Sequence, residues 1–139
     1  MRRALANVRR GRLQRALSLG AGLASVPLAF EIYLEHYRGS FSNRWEWAPL
    51  VCTPPLLAAG VAGALSPRAA RTVLPAAGIL YAANGVFGTV LHGRGVVRKP
   101  GGAAHAGYNL VMGPPLLAPG SLCMVGGLAV LASLVPRER

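Results

Sequence analysis

The sequence is short of charge, and most of what it has is of one sign. It contains no aspartate, a single lysine (Lys99) and four glutamates (Glu31, Glu35, Glu46 and Glu138). Charged residues make up 14% of the 139 positions, against about 25% in a soluble domain. A surface built from so few charges meets water poorly and hydrocarbon well. Cysteine is scarce too. Cys52 and Cys123 form no Cys-x-x-Cys pair, which removes thiol oxidoreductase chemistry. They are expected at different depths of the fold, where no disulfide can join them. There is no phosphate-cradling glycine loop, Ser/His/Asp set or His-Glu-x-x-His motif, so an independent hydrolase or kinase is not expected.

Apolar residues take the place of charge, at 53% of the chain. They gather in four stretches, 16–37, 47–65, 72–91 and 110–134, each of a length to cross a bilayer core that needs about 20 helical residues. Apolar side chains surround every face of these stretches, the pattern of a helix in lipid or fully buried. The expected fold is all-α: an integral membrane four-helix bundle made of two tandem hairpins, 16–65 and 72–135. A basic segment (1–15), a short turn (66–71) and the last four residues (136–139) are expected on the cytoplasmic side. The first stretch runs on into Glu31-Ile-Tyr-Leu-Glu-His without a small-residue cleavage site, so it reads as a retained helix and not a signal peptide.

A net charge of +11 is compatible with nucleic-acid binding, but the basic residues stand beside apolar stretches and no nucleic-acid motif accompanies them. Nucleic acid is therefore not an expected partner. Such clusters orient membrane helices instead. With the N-terminus inside, ten arginines are cytoplasmic: Arg2, Arg3, Arg9, Arg10, Arg12, Arg15, Arg68, Arg71, Arg137 and Arg139. Five basic residues are then outside: Arg38, Arg44, Arg94, Arg98 and Lys99. Ten against five predicts both termini inside, in what is expected to be a bacterial cytoplasmic membrane.

The chain also resembles itself. Leu50-Val51-Cys52-Thr53-Pro54-Pro55-Leu56-Leu57-Ala58-Ala59-Gly60 matches Leu110-Val111-Met112-Gly113-Pro114-Pro115-Leu116-Leu117-Ala118-Pro119-Gly120 at eight of eleven positions. Upstream, His36-Tyr37-Arg38-Gly39 matches His92-Gly93-Arg94-Gly95 at three of four. Two blocks recurring in one order predict duplicated hairpins related by a pseudo-two-fold axis along the membrane normal. Each Pro-Pro pair is expected to start a helix, where a missing N–H costs nothing. Pro119 is expected to kink the fourth helix, and Pro27 and Pro75 to disturb the first and third. Ala59/Gly63 and Gly60/Ala64 are spaced for close helix contact.

Candidate site residues follow from the repeat. His36 and His92 occupy matching positions at the outer ends of odd-numbered helices, so they share a depth. Two imidazoles from different helices suit axial ligation of haem b, with Arg38 and Arg94 for its propionates, or part of another metal site. The commoner use of such a histidine is a hydrogen bond to a loop carbonyl. Glu31, about a turn and a half below His36, is costly in a membrane and marks either a proton or quinone site or a polar contact between helices. Glu35 is placed to pair with Arg38, and Asn84 to hydrogen-bond towards Glu31. Trp45 and Trp47 lie in a loop whose composition suits the headgroup layer or docking of a periplasmic partner. His105 reads as a solvated loop residue.

These features point first to a non-enzymatic subunit or anchor of a larger, respiratory or redox membrane complex, with lipid and other membrane or periplasmic subunits as its partners. A b-type haem or quinone-linked electron carrier is the second reading. A small oligomeric transporter or channel is the third.

Overall fold

Four long helices with apolar residues spread over every face carry the chain, the polar ones of the first and third lying mainly towards their ends: α1 (Arg12–Arg38), α2 (Ala48–Leu65), α4 (Val73–Val97) and α6 (Leu117–Leu134). Two short ones join them, α3 (Pro67–Arg71) and α5 (Ala106–Met112). The computed structural model describes residue 6 and residues 10–137, and no strand occurs among them. Arg2, Arg3, Arg9 and Arg139, counted above on the cytoplasmic side, lie outside the described residues, as does Glu138. All four long segments are long and apolar enough to cross a membrane.

The helices run alternately up and down around a four-cornered bundle. α1 packs on α2 and α6, and α4 packs on the same two, so α1 and α4 stand diagonally opposite. One end of the bundle carries His36 and His92, and the other carries the α3 turn. Ser66, in extended conformation, caps α3 through its side-chain oxygen, which accepts from the Ala69 N–H at 3.4 Å.

Small residues let the helices come together, as the spacing on α2 predicts. A Cβ on Gly60 would stand 2.6 Å from the Ser18 carbonyl oxygen and 2.8 Å from the Gly22 Cα. A Cβ on Gly78 would stand 2.8 Å from the Gly126 carbonyl oxygen. Leu56, Leu74, Tyr81, Leu122, Ala21 and Ala129 form the centre, fully buried. The Tyr81 hydroxyl lies 3.4 Å from that of Thr53. The large apolar side chains outside this centre face outwards, Leu23, Phe30, Val51, Ile79, Val86 and Leu131 among them. An apolar exterior over helices brought close by small residues suits hydrocarbon surroundings, where close van der Waals packing replaces the hydrophobic drive between helices.

The end opposite the histidines is closed by the tail. The buried Arg137 guanidinium donates to the Gly63 carbonyl (3.1 Å), the Leu65 carbonyl (3.4 Å) and Gln14 Oε1 (3.2 Å). Gln14 Nε2 in turn donates to Ser18 Oγ at 2.7 Å. The arginine thus satisfies carbonyls that the last turn of α2 leaves unpaired, where the helix dipole also favours a cation. Gly11 makes room for it: its φ is +68°, and a Cβ there would stand 2.4 Å from Arg137 Cγ.

The prolines do not all act as expected. Pro114-Pro115 precedes α6, but Pro54-Pro55 lies inside α2, which has already begun at Ala48. The residue before each pair decides the difference. Gly113 leaves the helix with φ −99° and ψ −170°, at little cost for a residue that gains nothing from helical backbone. Its counterpart Thr53 stays helical, with its hydroxyl on the Pro49 carbonyl at 2.9 Å. Because residues 113–116 interrupt the expected 110–134 span, Pro119 falls in the first turn of α6, where it need not kink anything. Pro75 likewise sits in the first turn of α4, so of the three prolines expected to bend a helix only Pro27 remains deep inside one. α4 also continues past residue 91 to Val97, taking Arg94 onto the helix.

Candidate functional site

The histidine end opens into a cavity of about 810 Å³, within the range of about 300–1,000 Å³ typical of small-molecule sites. Its apolar walls include Leu28, Ile32, Phe87, Leu91, Leu117 and Leu122. Its polar lining gathers nearly every functional candidate of the chain: Glu31, Glu35, His36, Glu46, Asn84, His92, Arg94 and Arg98.

The two imidazoles meet across the bundle diagonal, with ring centres 6.4 Å apart and planes at 44°. His92 is anchored. Its Nδ1 lies 2.8 Å from the Pro115 carbonyl oxygen, which can only accept, so Nδ1 carries the proton and Nε2 keeps its lone pair. The Pro115 carbonyl is available because α6 starts only at Leu117. Gly95 lets this corner close, since a Cβ there would stand 2.9 Å from Pro114 Cγ. The repeated His-x-Arg-Gly block therefore serves two ends: Gly39 terminates α1, whereas Gly95 lies inside α4 and accommodates a proline.

His36 is held by rings instead. Phe41 meets it edge-on at 6.2 Å and stacks on Trp47 at 4.2 Å. Ser40 and Phe41 both adopt positive φ, 61° and 46°, a left-handed conformation costing non-glycine residues of order 1–3 kcal/mol each. The aromatic packing of Phe41 offsets that cost. Asn43 then starts a 3₁₀ turn, Arg44–Trp47, by accepting from the Trp45 N–H at 3.1 Å. In this turn Ser42 Oγ donates to Glu46 Oε1 at 3.1 Å.

The other candidates divide. Arg38 forms an ion pair with Glu35 and does not line the cavity, while Arg94 does. Arg98, which caps the C-terminal end of α4, joins Arg94 there. Glu31 and Asn84 line the same cavity, but Asn84 Nδ2 turns to Cys52 Sγ at 3.8 Å. Both cysteines are free. Trp45 packs edge-on against Phe87 at 5.3 Å, and both tryptophans remain about half exposed. His105 lies in a second 3₁₀ turn, Gly102–His105, outside the cavity lining. Glu46 and the Pro115 carbonyl were not recognisable as site groups: Glu46 reads as one more polar residue of a tryptophan loop, and a backbone carbonyl leaves no trace in sequence.

Among the described residues, no three His, Cys, Asp or Glu side chains come together as a metal-ligand set. Two imidazoles alone are what an iron porphyrin requires of its protein. Imidazole–metal bonds of about 2 Å, with about 1 Å from each nitrogen to its ring centre, put two axial rings roughly 6 Å apart. A direct hydrogen bond between the rings would bring them to roughly 5 Å. The observed 6.4 Å is too long for that bond and is compatible with the first arrangement, as it is with ordinary ring packing at about 4.5–7 Å. The cavity thus brings together two imidazoles, apolar walls and two arginines, the kinds of group a haem would need. The chain matches no family model, and no curated protein or solved structure is similar to it.

Proposed function

We propose that this chain is the membrane-embedded subunit of a larger redox complex and carries electrons through a b-type haem held between His36 and His92. The observation that carries this reading is the 6.4 Å separation of the two rings inside a cavity of ligand size. The hydrogen bond from His92 to Pro115 suits a structural histidine as well as an iron ligand. A second imidazole 6.4 Å away, without a hydrogen bond among the described residues, favours the ligand role. When bound, haem supplies reversible one-electron transfer. The chain's own residues would hold and tune it: Pro115 would fix the His92 tautomer, Arg94 and Arg98 would neutralise propionates, and the aliphatic lining would pack on the macrocycle.

The basic residues support an orientation with both termini in the cytoplasm and the histidine end outside. The matching neighbours of α1 and α4, together with the repeated sequence blocks, support an origin by duplication of one hairpin. A transporter draws less support. Below the cavity the centre is filled by Tyr81, Leu56 and Leu74, and Arg137 closes the far end.

The test is a visible spectrum of protein made with haem available and purified in mild detergent. A Soret band that His36→Ala and His92→Ala abolish is the expected result. Wild-type protein without such a band ends the electron-carrier reading, and a particle of the chain's own mass with no co-purifying polypeptide ends the subunit reading.

A further inference from the structure

The two imidazoles are provided for unequally. His92 has the Pro115 carbonyl, whereas no hydrogen bond to His36 occurs among the described residues. Beside His36 stands a carboxylate in the complementary condition. Glu46 Oε2 is buried and has no hydrogen-bond partner, while Ser42 holds the other oxygen. Phe41 joins the two sides, packing on the His36 ring and on Trp47, the residue after Glu46. Glu35 is already committed to Arg38. Both Glu46 and His36 line the cavity.

A buried carboxylate oxygen with no donor is costly, and its placement calls for an explanation. A histidine that binds metal through one nitrogen donates the other N–H to a carboxylate or carbonyl, which fixes the ring and makes the ligand more basic. We infer that Glu46 is the positioning residue for His36, accepting its second ring N–H when the imidazole turns to ligate iron. This rests on the haem reading above. It makes the two sides of the site chemically different: a neutral carbonyl behind His92, an anion behind His36. The anion raises electron donation to the iron and favours its oxidised state, lowering the reduction potential. The 3₁₀ turn Arg44–Trp47 presents this carboxylate, and the first half of the chain thereby supplies through a side chain what the second supplies through backbone.

The experiment is a redox titration of haem-loaded protein followed at the Soret band. Glu46→Gln keeps the size of the side chain and removes its charge. It is expected to retain the six-coordinate spectrum and to shift the redox equilibrium about tenfold towards the reduced form, which is 59 mV for one electron. Glu46→Asp, charged but shorter, is expected to recover part of the shift, and a merely structural role would not follow charge in this way. A wild-type potential in Glu46→Gln overturns the inference while leaving the haem reading intact, as does a shift of the same size in Glu46→Asp. A wild-type protein without a Soret band removes both together.

Discussion

Gly22 of α1 and Gly60 of α2 touch backbone to backbone, 38 positions apart in the chain. Only hydrogen can occupy the Cβ position of Gly60, because the Ser18 carbonyl and the Gly22 Cα lie within 2.6 Å and 2.8 Å of it.

Gly60→Ala is therefore expected to push α1 and α2 apart and to cost about 1–3 kcal/mol, the usual range for overpacking. Denaturant unfolding in mild detergent measures it. Gly20→Ala is the control, since a Cβ there meets nothing within 4 Å. It should be neutral, or stabilising by up to about 1 kcal/mol through helix propensity. Equal behaviour of the two variants would contradict the contact.

Arg137→Ala should loosen the end opposite the histidines. It leaves the Leu65 carbonyl and Gln14 Oε1 without their donor, and the Gly63 carbonyl with only the 3.5 Å bond from Gln14 Nε2, at about 1–3 kcal/mol for buried polar groups left unpaired. Arg137→Lys should recover little, because an ammonium is a point charge and cannot spread donors over three acceptors. Faster amide exchange in the last turn of α2 is the local signature. An unchanged exchange rate there would show that the tail does not close this end.

Orientation is open to chemical labelling. In a background without Cys52 and Cys123, a membrane-impermeant maleimide should label Ser42→Cys in intact cells and should label Arg68→Cys only after the membrane is opened. The reverse order would place the histidine end in the cytoplasm and remove access for an external redox partner.

Several of these relationships can be read from sequence, and others depend on contacts that sequence does not carry. The spacing of Ala59, Gly60, Gly63 and Ala64 marks the close face of α2, but not Gly22 as what it meets, since that depends on the register of two helices. The repeat places His36 and His92 at one depth. It does not say that they meet across a diagonal, which follows from how both hairpins pack. Identical Pro-Pro pairs diverge because Thr53 bonds its own helix and Gly113 does not. Arg98 joins the site only because α4 runs on to Val97, beyond the end of the third apolar stretch at residue 91, where hydropathy ceases to mark a helix.

The interruption ahead of α6 has one more effect. Lys99 Nζ binds the Met112 carbonyl at 2.6 Å, and His92 binds that of Pro115 at 2.8 Å. Residues 100–111 thus leave and rejoin the bundle at a double bolt, and the buried Asn109 ties the segment to itself by donating to the Pro100 and Gly102 carbonyls, each at 3.2 Å. One of the two bolts is the only side-chain amine in the protein. An acylating reagent accordingly has a single lysine to find, and by capturing it would undo one bolt and leave the imidazole bolt in place.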